Sequence, residues 1–113
     1  MLFRSIKPGR RGGYRAAIVA HDACMAAGVD AWVGGMLETG IGRAANLALA
    51  SLPGFTLPGD ISATDRYFHE DVTAPFVLDG YGTLAVPQGP GIGVEVLADV
   101  LARRTVHCEI LRP

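Results

Sequence analysis

The hydrophobic positions of this chain fall into short units separated by glycine and proline. Phe3 to Ile6 is a brief apolar stretch that breaks at Lys7-Pro8-Gly9, the pattern of a strand end and a turn. From Tyr14 to Ala27, residues Ala16, Val19, Ala20, Ala23, Cys24 and Ala27 recur at helical spacing, and Gly28 stands where a helix terminates. Val29 to Val33 predicts a short buried strand ending at Gly34-Gly35. A second helix is expected from Thr39 or Gly40 to Leu52. Thr39 is its candidate N-cap, and Ile41, Ala44, Ala45, Ala48, Leu49 and Leu52 form its apolar face. Pro53-Gly54 stops it, and Phe55 to Leu57 predicts a third strand that ends at Pro58-Gly59-Asp60. Strand–helix–strand–helix–strand with short connections argues for parallel α/β architecture.

The pattern then changes. Ser62 to Val72 is polar and aromatic, as in a loop with a short helical turn. Pro75 to Leu78 and Thr83 to Val86 flank Asp79-Gly80-Tyr81-Gly82, which predicts a hairpin. Gly89 to Gly93 reads as a loop, Val94 to Leu101 as a helix, and Thr105 to Leu111 has strand composition.

Composition narrows the function classes. Half of the 113 residues are hydrophobic, which argues against a disordered chain. A formal charge of −1 gives no general attraction to nucleic acid or to an anionic membrane. The longest apolar runs, such as Ala16 to Ala20, are far too short to cross a bilayer, and His21 and Asp22 interrupt that run as a signal segment. The Arg10-Arg11 pair reads as loop chemistry rather than an export signal. Cys24 and Cys108 form no Cys-x-x-Cys pair; Cys24 lies in an apolar helical pattern, so reduced thiols in a cytoplasmic protein are expected.

Three sets of residues carry candidate chemistry. Lys7 stands at the carboxyl end of a predicted parallel strand, where α/β enzymes place their sites. It is there either as an acid or base or as a solvated lysine. Gly40-Ile41-Gly42-Arg43-Ala44-Ala45 matches G-x-G-x-x-A, with Asp60 about 20 residues on as the ribose-binding acid of a dinucleotide site. Met36-Leu37-Glu38-Thr39 separates those glycines from the strand, however, and small residues at a close helix–sheet contact explain the pattern more simply. Asp65, His69, Glu70 and Asp71 lack a metal-ligand spacing and read as a solvated polar loop. No G-x-S-x-G motif and no P-loop lysine is present.

The strings IKPGRRGGYRAA, WVGGMLETGIGRAANLALASLPGFTLPGDISATDRYF and PFVLDGYGTLAVPQGPGIGVEV closely resemble the C-terminal part of o-succinylbenzoate synthases. The branch is the one shared with N-acylamino acid racemases, within the enolase superfamily. The resemblance covers about Ile6 to Val96, and Leu97 to Pro113 follows it only in outline. It implies an α/β partial (β/α) barrel, with Phe3–Ile6, Ala31–Val33 and Phe55–Leu57 as strands six to eight. Residues 1–74 would be this C-terminal part of the barrel. Residues 75–113 would be a β-rich return segment toward a capping domain. Met1 to Ser5 departs from the apolar beginning expected of strand six.

The resemblance also implies a mechanism. In the family, a proton next to a carboxylate becomes removable because the enediolate is stabilised on a divalent metal, usually Mg²⁺. Lys7 matches the sixth-strand lysine, which serves as an acid/base in racemisation and as a charge stabiliser in the synthase dehydration of menaquinone biosynthesis. Gly35, Met36 and Leu37 match the pocket wall, with core packing the alternative reading for the last two. Tyr67 matches a substrate-contacting loop position, and Glu38 is expected to influence the charge of Lys7. The metal carboxylates and the facing second-strand lysine belong to strands that precede the matched region. The resemblance implies a small carboxylate substrate, and the isolated chain is expected to be inactive and poorly soluble. It would need the N-terminal part of the barrel or a complementing chain. The complete enzyme is expected to form a homo-oligomer.

Overall fold

A computed structural model describes residues 3–112; Met1, Leu2 and Pro113 lie outside the described residues. Strand β1 (Phe3–Ile6) is followed by a single helical turn, α1 (Pro8–Arg11), and by helix α2 (Tyr14–Ala26). Strand β2 (Asp30–Val33) and helix α3 (Gly40–Ala50) come next. A 3-10 turn at Thr64–Arg66 and helix α4 (Ala98–Arg104) complete the regular elements. β1 and β2 pair in parallel, with Phe3 opposite Asp30 and Ile6 opposite Val33.

The third predicted strand is present as an extended segment rather than a full ladder. It touches β2 at two parallel bridges, Ala31 with Phe55 and Gly34 with Asp60. Leu57 N donates to Ala31 O at 3.2 Å and Asp60 N to Val33 O at 3.0 Å. The donors are three residues apart and their acceptors two, so an extra residue at Pro58-Gly59 interrupts the register.

Two apolar clusters hold the elements together. Ile6, Ala17, Ala31, Val33 and Leu49 form the first, between the sheet and helices α2 and α3, with Cys24 and Phe55 at its margin. Ala44, Leu47 and Phe76 form the second, flanked by Leu84, Val86 and Val94. This second cluster fastens the segment after residue 75 to the outer side of α3.

Helix α2 buries a face displaced by one residue from the expected one. Ala17 and His21 are buried, with Ala20 and Cys24 half-buried, whereas Val19, Ala23 and Ala27 are exposed. His21 accounts for the rotation. Its ring packs 4.7 Å from that of Phe55, and its Nε2 accepts the Gly54 amide at 3.1 Å, so an imidazole occupies a core position. The helix ends as expected: Gly28 takes φ 63°, and Val29 N reaches back to Cys24 O at 2.9 Å.

The C-terminal region departs further from the pattern. The hairpin expected at residues 75–86 forms only its turn, in which Asp79 N donates to Thr83 O at 3.0 Å. Its flanks turn Phe76, Leu84 and Val86 toward α3 instead of pairing with each other. The late helix begins at Ala98 rather than Val94, and residues 105–111 are exposed and irregular rather than a strand.

Candidate active-site edge

Lys7, Gly34-Gly35 and Asp60 close β1, β2 and the third extended segment, so they meet at the carboxyl edge of the sheet. Lys7 has an extended backbone and is fixed by Pro8, which begins α1 at the position where proline costs no hydrogen bond. Its side chain lies across Gly34. A Cβ at Gly34 would stand 2.8 Å from Lys7 Nζ and 2.9 Å from its Cγ, so only glycine leaves the lysine its course. Lys7 Nζ donates to Gly35 O at 2.5 Å and stands 3.8 Å from Asp60 Oδ2.

Gly35 makes room for a second approach. Its amide donates to Asp60 O at 2.5 Å, and a Cβ there would lie 2.6 Å from that same carbonyl. The Asp60 backbone is thus bonded on both sides, to Val33 O and to Gly35 N. Its carboxylate meanwhile remains 71% exposed, against 23% for the Lys7 side chain. The arrangement is a half-buried ammonium held by one carbonyl and one carboxylate, with a hydrogen still available on its open side. Chemically it offers fixed positive charge to an anion developing at this edge.

The other expected site residues occupy the loops beyond the same edge. Met36, Leu37 and Tyr67 are exposed. The Ser62 hydroxyl donates to Tyr67 Oη at 3.5 Å, and this contact, aided by Arg66, lowers the Tyr67 pKa from its ordinary value. Glu38 is not the carboxylate beside Lys7. Its Oε2 accepts the Met36 amide at 2.7 Å, and its stem lies over Gly42. The Tyr14 pKa is raised, first by burial and then by the Glu38 charge.

Arg43 ties two of these loops together, a role that its place in an apolar helical pattern did not announce. It is 2% exposed, and its Nη2 donates to Glu38 O at 3.1 Å. Its Nη1 reaches Thr64 Oγ1 at 3.2 Å and Asp71 Oδ2 at 3.3 Å. Asp71 is buried, which corrects the solvated-loop reading for that residue. Asp71 Oδ2 also accepts the Gly40 amide at 2.8 Å. It thereby serves the start of α3, where Thr39 occupies the N-cap position without a side-chain bond.

The same contacts account for the glycine motif. The Gly40 amide is engaged by Asp71, and Thr73 fills the space that a side chain at position 40 would need. Gly42 gives way to Glu38. Both glycines therefore serve the packing of the chain on itself.

The described residues do not fit a divalent metal. No group of three or more His, Cys, Asp or Glu among them is placed to hold an ion. Asp65 and His69 are exposed, and Glu70 is paired with Arg103 and Arg104 at 2.9 and 3.2 Å. No helix among the described residues is long and apolar enough to cross a membrane.

Asp60 is the functional candidate whose role sequence reasoning missed, since it was weighed there only as a ribose-binding acid. Its signal was positional: Pro58-Gly59-Asp60 ends a third strand-like stretch on the same edge as Lys7.

Comparison with known proteins identifies the family. Residues 3–100 match the family described as Enolase C-terminal domain-like. The chain is 61% identical over 97 residues to an N-succinylamino acid racemase of Amycolatopsis, covering 86% of this chain and 26% of that protein. It is 46% identical over 106 residues to an o-succinylbenzoate synthase of Bacillus subtilis, covering 94% of this chain and 29% of the relative. Among solved structures, a probable mandelate racemase from Alicyclobacillus acidocaldarius superposes with a TM-score of 0.84 at 40% identity. That match covers 91% of this chain and 28% of the other. The chain thus spans between a quarter and a third of the length of the curated relatives it matches. With its small parallel sheet and α/β order, the chain belongs to the enolase C-terminal domain-like family, and within it is similar to the o-succinylbenzoate synthases and N-succinylamino acid racemases.

Proposed function

We propose that this chain is the closing arc of a barrel enzyme acting next to a substrate carboxylate, as an o-succinylbenzoate synthase of menaquinone biosynthesis in the cytoplasm. Residues 1–74 supply barrel strands six to eight, and residues 75–113 return toward a capping domain. The observation that carries the reading is Lys7, half-buried at the carboxyl edge, laid over Gly34 and bonded to Gly35 O at 2.5 Å.

A proton next to a carboxylate is held tightly because its loss places a second negative charge on the same group. Fixed positive charge, set in place before the reaction, lowers that cost. In the dehydration, the Lys7 ammonium stands over the developing anion while a C–H proton and a hydroxyl leave as water. In racemisation, Lys7 is one of two groups that remove and return the proton from opposite faces. The facing group comes from outside this chain if it is a lysine, because Lys7 is the sole lysine among the 113 residues.

Enolase-superfamily sites combine a Lys or His base with one or two Mg²⁺ ions. On this reading the ligands of that ion lie on barrel strands that come before Lys7 in the family's order. A complementing chain or a preceding segment provides them, and the complete enzyme is read as a homo-oligomer.

Racemisation of N-acylamino acids is the second reading, favoured by the 61% identity to the Amycolatopsis racemase. One experiment tests both. The chain is grafted in place of the matching C-terminal portion of that racemase, and dehydration and racemisation are assayed with Mg²⁺. Activity that is abolished by Lys7→Ala in a folded graft supports the proposal. A folded, active graft indifferent to Lys7→Ala overturns it.

A further inference from the structure

We propose that Asp60 is a positioning residue for Lys7, holding its ammonium in one direction across Gly34. This rests on the reading of Lys7 as the acid/base or charge-stabilising group. Among the described residues, Asp60 is the ion-pair partner of Lys7, with Oδ2 3.8 Å from Nζ. The two residues lie far apart in sequence and are brought together by the parallel bridge of Gly34 with Asp60.

The manner in which Asp60 is held separates it from an ordinary surface carboxylate. Its amide and carbonyl are both bonded, to Val33 O at 3.0 Å and from Gly35 N at 2.5 Å. The backbone therefore fixes the point from which the carboxylate extends, and the side chain itself is 71% exposed. An ammonium has three hydrogens. Gly35 O takes one and Asp60 attracts a second from the same edge, so the third is directed away from both, toward the open side where a substrate sits. A long, flexible lysine would otherwise spread over several rotamers, and orientation is a large part of what such a group contributes to rate.

The side-chain freedom of Lys7 is read in the grafted enzyme, through the one tryptic peptide that carries it. Acetic anhydride is applied at limiting concentration, and trypsin then releases the Ser5–Arg10 peptide, uncut at Lys7 because Pro8 follows it. Asp60→Asn is expected to raise the Lys7 acetylation rate about two- to fivefold, the scale of an exposed ion pair. Asp60→Glu should restore much of the slower rate, with the circular dichroism unchanged in both variants. An Asp60→Asn graft of native dichroism that acetylates at the parent rate overturns the proposal.

The grafted enzyme supplies the catalytic readout. There Asp60→Asn should lower kcat roughly tenfold while KM moves less than about twofold, because orientation rather than binding is lost. Asp60→Glu should recover part of kcat. If Lys7→Ala abolishes turnover while Asp60→Asn leaves kcat intact, the reading of Lys7 stands and the role of Asp60 falls.

Discussion

Arg43 and Asp71 form a buried ion pair, with Nη1 3.3 Å from Oδ2 and side chains 3% and 1% exposed. The pair is satisfied on both sides. Asp71 accepts the Gly40 and Val72 amides, and Arg43 donates to Glu38 O and Thr64 Oγ1. Thr64 Oγ1 in turn accepts the Phe76 amide at 2.9 Å. One charged pair thereby joins the loop after β2, the start of α3 and the segment that carries Tyr67.

Removing one partner leaves the other charge buried and alone. Arg43→Met is expected to destabilise the grafted enzyme by about 3–5 kcal/mol, and Asp71→Ala by a similar amount. The double variant should lose less than the two single losses added together. Urea midpoints check this, and a loss below about 1 kcal/mol for either single variant contradicts it.

Gly34 is the floor on which Lys7 lies, and a Cβ there would come 2.6 Å from Ser5 Oγ as well as 2.8 Å from Lys7 Nζ. Gly34→Ala should displace the ammonium and reduce kcat by about a hundredfold with the fold retained. Steady-state kinetics together with circular dichroism measure this, and a variant with unchanged kcat contradicts the placement of Lys7.

Gly54 and Gly80 make a controlled comparison. A Cβ on Gly54 would overlap His21 Nε2 and the Met25 side chain, whereas a Cβ on Gly80 meets nothing within 4 Å. Gly54→Ala is expected to cost about 1–3 kcal/mol through overpacking and strain on the Gly54–His21 hydrogen bond. Gly80→Ala should fall within about 0.5 kcal/mol of the parent. Equal urea midpoints for the two variants contradict this packing.

The turn at Asp79 is acid-sensitive in a defined direction. The Thr83 hydroxyl and the amides of Thr83, Tyr81 and Gly82 lower the Asp79 pKa from its usual 3.8. A carboxylate with a depressed folded pKa contributes above its unfolded pKa and loses that contribution as pH falls through the folded one. The Tyr81 and Thr83 amides should therefore exchange slowly near neutral pH, relative to unstructured amides at the same pH. Their protection should begin to fall as the pH drops below the unfolded carboxylate range, about 4, and be gone once it has passed the lowered Asp79 value. Hydrogen exchange followed by NMR reads this, and Asp79→Ala should remove the protection at every pH.

The sequence made some of these features legible and hid others for physical reasons. Helix α3 was readable in extent from the helical spacing of its apolar residues, but its buried surface differs from the expected face. Ala48 is exposed, and Leu49 packs in the first cluster while Ala44 and Leu47 pack in the second. Its charged core residue was not readable, because the partners of Arg43 lie in distant loops that periodicity does not join. Helix α2 was readable in extent but not in orientation, since an apolar stripe gives no warning that His21 will be accepted into the core by Phe55 and Gly54. The hairpin at residues 75–86 was overcalled because two short apolar stretches flanked a good turn. Burial of Phe76, Leu84 and Val86 against α3 outweighed strand pairing. Lys7 was visible at a strand end, and its meaning came from the family resemblance. Asp60 became its neighbour only once the third segment was laid beside β2.

The most direct test is hydrogen exchange at the reacting carbon. Each enantiomer of an N-succinylamino acid is incubated in D₂O with the Amycolatopsis graft carrying this chain, with and without Lys7→Ala. If Lys7 serves one face and a group outside this chain the other, the parent graft exchanges both enantiomers. Lys7→Ala should then lose exchange from one enantiomer while keeping it in the other. Exchange of both enantiomers at the parent rate in the Lys7→Ala graft would remove Lys7 from the reaction and contradict the proposed function.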